Sequence, residues 1–285
     1  MARPRRGVRA GEGPVRYRGS VLFWQLLILV VLLASWEWLT GIKAISRTPG
    51  LYWIDPFFIS RPSLIARRFV YLLSDRVRLN LWQMTLSTVQ STLWGFVVGV
   101  STGFVAGLVL GRNDRLARIF APYIVAFNSL PRIALVPLIT MIFGFGLVAK
   151  IVLAWTIVFF IVFFNTFQGA RSVDADLIHS ARFLGASERQ VMRTVIIPSA
   201  LAWTFASLTP SISFALIGVV VGEFLGGESG GGLGYLIIQS LGTLNAADMM
   251  VALLTLGLIG IVMALGIKQV ETRLLRWRPE YRKSA

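Results

Sequence analysis

A chain of 285 residues that is 55% hydrophobic and only 14% charged, with a mean hydropathy of +0.72, is too apolar for an ordinary water-soluble domain and reads as a polytopic membrane protein. Its net charge of +15 does not point to nucleic acid, because the basic residues gather at the ends of apolar stretches, as the positive-inside bias requires. Cysteine is absent, which excludes disulfides and thiolate metal sites.

Six apolar stretches predict an all-α fold with six spans, near residues 21–41, 85–111, 120–143, 147–168, 200–222 and 248–268. Residues 1–20 are expected to be a basic cytosolic tail rather than a removed leader, since no small-residue cleavage site precedes Glu37. The first span, 21–41, leads into an outer loop over 42–78, punctuated by Pro49, Pro56 and Pro62. Within it, Ser63 to Arg78 predicts an amphipathic surface helix with Leu64, Phe69, Leu72 and Leu73 on its apolar side. Residues 79–268 form the expected core, and 269–285 a second basic cytosolic tail. With the N-terminus inside, 19 of the 28 basic residues fall in cytosolic segments, which sets the orientation.

The second span carries Gly95, Gly99, Gly103, Gly107 and Gly111 at a strict interval of four, a ridge that lets another helix approach closely and is expected to be fixed packing. In the third span, Arg132 lies near the middle between Pro131 and Pro137. A charge at that depth must be solvated or paired, so Arg132 is either part of the path of an anionic solute or a structural cation at a broken helix. Asn128 and Ser129 are placed one turn earlier on the same side. Lys150 is expected to snorkel at the outer edge, and Asn165 and Gln168 to bond neighbouring helices or line the inner exit. Glu223, ending the fifth span, is a candidate for the outer mouth. Its depth differs from that of Arg132 by roughly 15 Å along the helices, so a direct pair is not assured. The glycine-rich stretch 226–234 lacks the Lys and Ser/Thr of a phosphate-binding loop and reads as an outer turn. Trp24, Trp36, Trp38, Trp53, Trp82 and Trp277 suit interfacial anchors, and the single histidine, His179, suits a solvated face better than a metal site.

Between the fourth and fifth spans, residues 172–198 are polar and read as a helical hairpin. Asp174 caps a first helix in which Leu177, Ala181 and Leu184 share a face, and Gly185 ends it. Ser187 and Gln190 have the form of a capping box opening a second helix, with Val191 and Val195 on its apolar side and Pro198 closing the segment.

That hairpin resembles the cytoplasmic signature of permease subunits of bacterial ABC importers: Glu-Ala-Ala, three residues, Gly, nine residues, then Ile-any-Leu-Pro. Here HSARFLG, nine residues and VIIP keep Ala181, Gly185 and Pro198 in register, while His179 and Ser180 replace the usual Glu and first Ala. The stretches LPRIALVPLITMIFGFG, SVDADLIHSARFLGAS and ALIGVVVGEFLGGESGGGLGYLI resemble the subgroup that imports nitrate, taurine and alkanesulfonates. The resemblance implies a type I ABC importer permease fold in a bacterial inner membrane. It further implies a second copy of the permease, a cytosolic ABC ATPase dimer that holds ATP and Mg, and an extracytoplasmic solute-binding protein. The chain itself would be no enzyme and would hold no cofactor. Asp174, Leu177, His179, Ala181, Leu184, Gly185, Ala186 and Pro198 would couple to the ATPase. Asn128, Arg132 and Glu223 would border the path of a small solute, an anion such as a sulfonate, nitrate or organic acid. The alternatives are a vitamin precursor or other heteroaromatic solute, or a secondary transporter working without ATP.

Overall fold

A computed structural model describes residues 17–42, 50–51, 54–74, 80–227 and 231–275, with side chains from residue 21 onward. Most of the two expected basic tails, Trp53, Trp277 and the end of the expected 63–78 helix lie outside the described residues. The described residues are helical, without strands, and fall into two compact units, Met1–Ala66 and Arg67–Ala285.

In the first unit, α1 (Tyr17–Leu39) is long and apolar enough over Val21–Leu39 to cross a bilayer. Its end is tied by the Thr40 hydroxyl, which donates to the Trp36 carbonyl at 2.8 Å. Ser63 donates to the Glu37 carboxylate through both its backbone N–H (3.0 Å) and its hydroxyl (2.7 Å). A single turn, α2 (Pro56–Ile59), is capped by Asp55. The amphipathic helix exists as α3 (Pro62–Leu73), but its buried residues are Ile65 and Leu72, seven apart on one face. Leu64, Phe69 and Leu73, expected on the apolar side, are exposed. The charged Arg68 shares the inward face instead, because Asp248 meets it there.

The second unit begins at Arg67 within α3, so the Arg68–Asp248 pair lies inside it, and it continues with α4 (Leu81–Arg112), whose first N–H groups are capped by Asn80. The expected third span is broken: α5 (Asp114–Ser129) ends, a 3-10 turn covers Arg132–Leu135, and α6 (Val136–Phe143) departs at 86° to α5. Pro131 causes the break, because its ring pushes Leu130 into extended backbone (ψ 127) and it has no N–H to continue the ladder. Pro137 is tolerated in the first turn of α6, where no intrahelical donor is needed.

After Gly144 reverses the chain at φ +74, α7 (Leu147–Arg171) runs through the middle of the unit. Its Ala154, Val158 and Val162 are fully buried. The α4 glycines meet it along their whole length: a Cβ on Gly99 would lie 2.6 Å from Val158 Cβ, and one on Gly107 only 2.7 Å from the Phe163 carbonyl oxygen. The four-residue ridge is therefore a packing surface that brings two backbones together, the arrangement lipid cannot supply.

Two short helices, α8 (Ala175–Phe183) and α9 (Glu188–Val191), follow, and then a π turn over Met192–Ile196 leads into α10 (Ile197–Leu225). Gly218 and Gly222 of α10 also press on α7, where a Cβ on Gly218 would lie 3.3 Å from the Ala154 Cα, and α10 packs on α4 as well through Phe96, Leu208 and Ile212. The glycine-rich stretch is not a simple turn. It runs into a ten-residue apolar helix, α11 (Leu233–Gly242), before α12 (Ala246–Leu274) crosses back. Among the described residues, five helices are long and apolar enough to span, or six if the bent α5–α6 pair counts as one.

Candidate functional site

The hairpin forms as its sequence predicts in three places. Asp174 accepts the Asp176 N–H at 2.9 Å. Gly185 adopts φ +84, a conformation costly for any side chain, and lets the Ala186 N–H reach back to the Ala181 carbonyl at 3.0 Å. The Ser187 hydroxyl accepts the Gln190 N–H, and the Gln190 side chain accepts the Ser187 N–H at 2.8 Å. Arg182 on α8 donates to Glu188 on α9 at 2.8 Å, and Arg112 at the end of α4 lies 3.8 Å from the same carboxylate.

Two expectations need correction. Leu177, Ala181 and Leu184 do not share an environment: Ala181, Ala186 and Ile178 turn inward onto a cluster of buried Ala170, Val191, Ile196 and Ala200. Leu177 and Leu184 point outward, joined by Phe183, which is 93% exposed. Sequence reasoning misses Phe183, although a phenylalanine at the tip of a capped helix in a polar segment is a readable signal. Nor does Pro198 close the hairpin. The helix continues unbroken from Glu188 to Leu225, 38 residues, because the wider π turn, in which the Ile197 N–H bonds the Met192 carbonyl, absorbs the proline. Val195 is half-buried, and the buried partner of Val191 is Ile196. His179 is exposed on α8.

At the other end of the unit, the N-termini of α4 and α7 and the C-terminus of α10 converge on Glu223. Its carboxylate is fully buried and accepts from the Thr88 hydroxyl (2.9 Å), the Lys150 ammonium (3.1 Å) and the Gly234 N–H (2.9 Å). Lys150 does not snorkel. Only 4% exposed, it also donates to the Ser87 hydroxyl (2.9 Å) and the Gly231 carbonyl (3.1 Å). A cavity of about 440 Å³ opens beside it, lined by Gln83, Ser87, Gln90 and Lys150 among others. At the same end, Arg68 holds Asp248 through two bonds of 2.6 Å, and that contact raises the arginine pKa above its ordinary value.

Arg132 sits at the break, not in the middle of a continuous span. Its guanidinium donates to the Phe127 carbonyl and the Asn128 side chain, both at 2.9 Å, so it satisfies the open end of α5. It also lies 4.5 Å from the centre of the Phe160 ring. Among the described residues no carboxylate pairs with it, and Glu223 is committed to Lys150 instead. Ser129 bonds its own helix at Val125. Asn165 likewise bonds Ile161 within α7, and Gln168 is exposed. Polar links between neighbouring helices are made instead by Thr166 with Thr204 at 2.7 Å and by the Trp155 indole N–H, which donates to the Thr102 hydroxyl at 2.9 Å.

Comparison with known proteins gives a consistent setting for this geometry. The family described as "binding-protein-dependent transport system inner membrane component" matches residues 99–276. The chain is 34% identical over 249 residues to the riboflavin transport system permease protein RibX of Chloroflexus aurantiacus, covering 87% of this chain and 88% of the relative. It is 28% identical to the putative aliphatic sulfonates transport permease protein SsuC of Bacillus subtilis, covering 90% and 88%. The taurine transport system permease protein TauC of Escherichia coli is 26% identical, covering 88% of each. Among solved structures, the inward-facing MetNI methionine ABC transporter superposes with a TM-score of 0.52 at 25% identity, over 69% of this chain and 93% of that one. An amino acid ABC transporter crystallised with histidines reaches 0.56 at 19% identity, a likeness of fold, over 75% and 98%.

Proposed function

This chain belongs to the binding-protein-dependent inner-membrane permeases of ABC importers, and on that premise we propose that it passes a small solute through a dimer of itself, driven by two cytosolic ATPase subunits docked on the 172–198 hairpin. An extracytoplasmic binding protein delivers the solute to the opposite, outer face. The observation that carries this reading is the outward Leu177, Phe183 and Leu184 on a hairpin whose other side is packed into the bundle. Burying each of these apolar side chains in a partner's cleft contributes about 1.5–3 kcal/mol. A hairpin fixed by a cap, a capping box and two arginine contacts then transmits the partner's movement instead of absorbing it.

The continuous helix from Glu188 to Leu225 supports a rigid lever. At 1.5 Å per residue it is roughly 57 Å long and joins the docking surface directly to Glu223. Closure of the ATPases on ATP would swing both ends together and alternate the open side of the path. His179 stands where the family signature has a Glu, so the contact relies on apolar fit more than on charge. This chain supplies the path and the lever, and ATP hydrolysis belongs to the partner.

For the solute, the half-buried Arg132 without a carboxylate partner among the described residues supports an anion such as a sulfonate, nitrate or organic acid. A planar heteroaromatic solute is a second reading, favoured by the Arg132–Phe160 stack and by the riboflavin named for one relative. Gly185→Trp tests the docking: the variant inserts normally, yet the ATPase no longer copurifies. Retention of the ATPase at the parent level would overturn the proposal. A thermal-shift panel of sulfonates, nitrate and flavins on the binding protein decides between the two solute readings.

A further inference from the structure

We propose that Lys150, Glu223 and Thr88 are positioning residues for transport: they seat the 231–242 segment as a plug at the outer mouth, and solute passes only when that seat opens. The proposal rests on the importer reading for which side is outer and for what opens the seat. The seat itself is geometric. Glu223 on α10 gathers a hydroxyl from α4, an ammonium from α7 and the Gly234 N–H from the plug, while the Leu233 N–H donates to the Thr88 hydroxyl at 3.0 Å and the Gly231 carbonyl accepts from Lys150. Two plug residues fit only as glycine. A Cβ on Gly232 would fall 1.9 Å from a Glu223 carboxylate oxygen, and one on Gly234 would fall 2.6 Å from the Val220 carbonyl.

The plug has the dimensions of a re-entrant element. Its ten-residue helix α11 is about 15 Å long, half of the ~30 Å a span must cover, and its Leu233, Leu236 and Ser240 are buried. A buried ion pair is weak evidence for stability, since a well-packed apolar pair often does as well, and its best-attested use is to specify one arrangement over another. Here the two charges lie on different helices, α7 and α10. α10 continues the second hairpin helix without a break, whereas residues 172–174 separate α7 from the first, so a movement of the lever shifts Glu223 relative to Lys150 and to the plug.

The absence of cysteine makes the test direct. Ser240→Cys in the full-length chain, in intact cells, reports the plug through a membrane-impermeant maleimide. The parent labels slowly. Lys150→Met, Glu223→Gln and Gly232→Ala each label about tenfold faster, equal to ~1.4 kcal/mol of opening. Lys150→Arg, which keeps the charge and has the neighbouring cavity to fill, stays near the parent. Thr166→Cys, buried between α7 and α10 toward the hairpin end, gauges the rest of the fold with a permeant maleimide, and its rate is unchanged in every variant. Parent-like labelling at position 240 in the variants overturns the proposal, as does an equal rise at both introduced thiols. Labelling needs neither ATPase nor solute, so this failure is distinct from failure of the importer reading, which shows as ATPase binding that ignores the hairpin.

Discussion

Gly103→Ala puts the α4–α7 contact to a quantitative test. The new methyl carbon would lie 2.7 Å from the Phe159 carbonyl oxygen and 3.1 Å from Val162 Cβ, against the 3.4 Å or more of ordinary contact. The nearer atom is backbone, so no rotamer change relieves the clash, and the helices must separate by several tenths of an ångström along a seam that also holds Gly99 and Gly107. Overpacking of this kind costs about 1–3 kcal/mol, reduced by the ~1 kcal/mol that alanine gains over glycine in a helix. Gly257→Ala on α12 is the internal reference: nothing lies within 4 Å of its Cβ position, so only the propensity gain remains. Thermal unfolding in detergent should therefore lower Tm for Gly103→Ala and leave Gly257→Ala level or slightly higher. At ~2–4 °C per kcal/mol for a domain of this size, the two should differ by several degrees. Equal Tm values would refute the idea that the glycine ridge exists for close packing on α7.

Three further predictions address the other polar and exposed residues. Arg132→Ala should lower solute uptake while the ATPase still copurifies, and an unaltered uptake rate removes Arg132 from the path. Arg68→Gln frees Asp248 from its two 2.6 Å bonds and should lower stability by about 1 kcal/mol at low salt and less at high salt, because the pair is partly exposed; a salt-independent Tm change would contradict an electrostatic origin. Phe183→Ala should weaken ATPase affinity by roughly 10-fold or more without changing Tm, since the ring contributes little to the fold when 93% exposed, whereas a lowered Tm would place it in the core.

What the sequence made legible was whatever depends on local spacing. The glycine interval on α4, the Asp174 cap, the Gly185 reversal and the Ser187–Gln190 box are each set by residues within a turn of one another, and each forms as read. The misreadings share a different cause, tertiary partners that spacing does not reveal. Lys150 looked like a cation seeking the interface, but Glu223 lies 73 residues away in sequence and meets it inside. Arg68 sits on the buried face of α3 because Asp248, 180 residues on, receives it. Proline misled in both directions: Pro131 breaks a span that hydropathy alone leaves whole, and Pro198 fails to stop a helix because it falls in the first turn of α10, directly after a π turn. The short helix α11 stayed hidden because its glycine-rich approach reads as a turn until the carboxylate it wraps is known.

The central claim, that the hairpin is the docking surface for an ATPase, is tested most directly by protection. In the otherwise cysteine-free chain, Phe183→Cys should react rapidly with maleimide when the permease is alone and become strongly protected when the ATPase is bound, while Ser172→Cys at the hairpin's base changes little. Equal reactivity of the Phe183→Cys thiol with and without a bound ATPase would contradict the account.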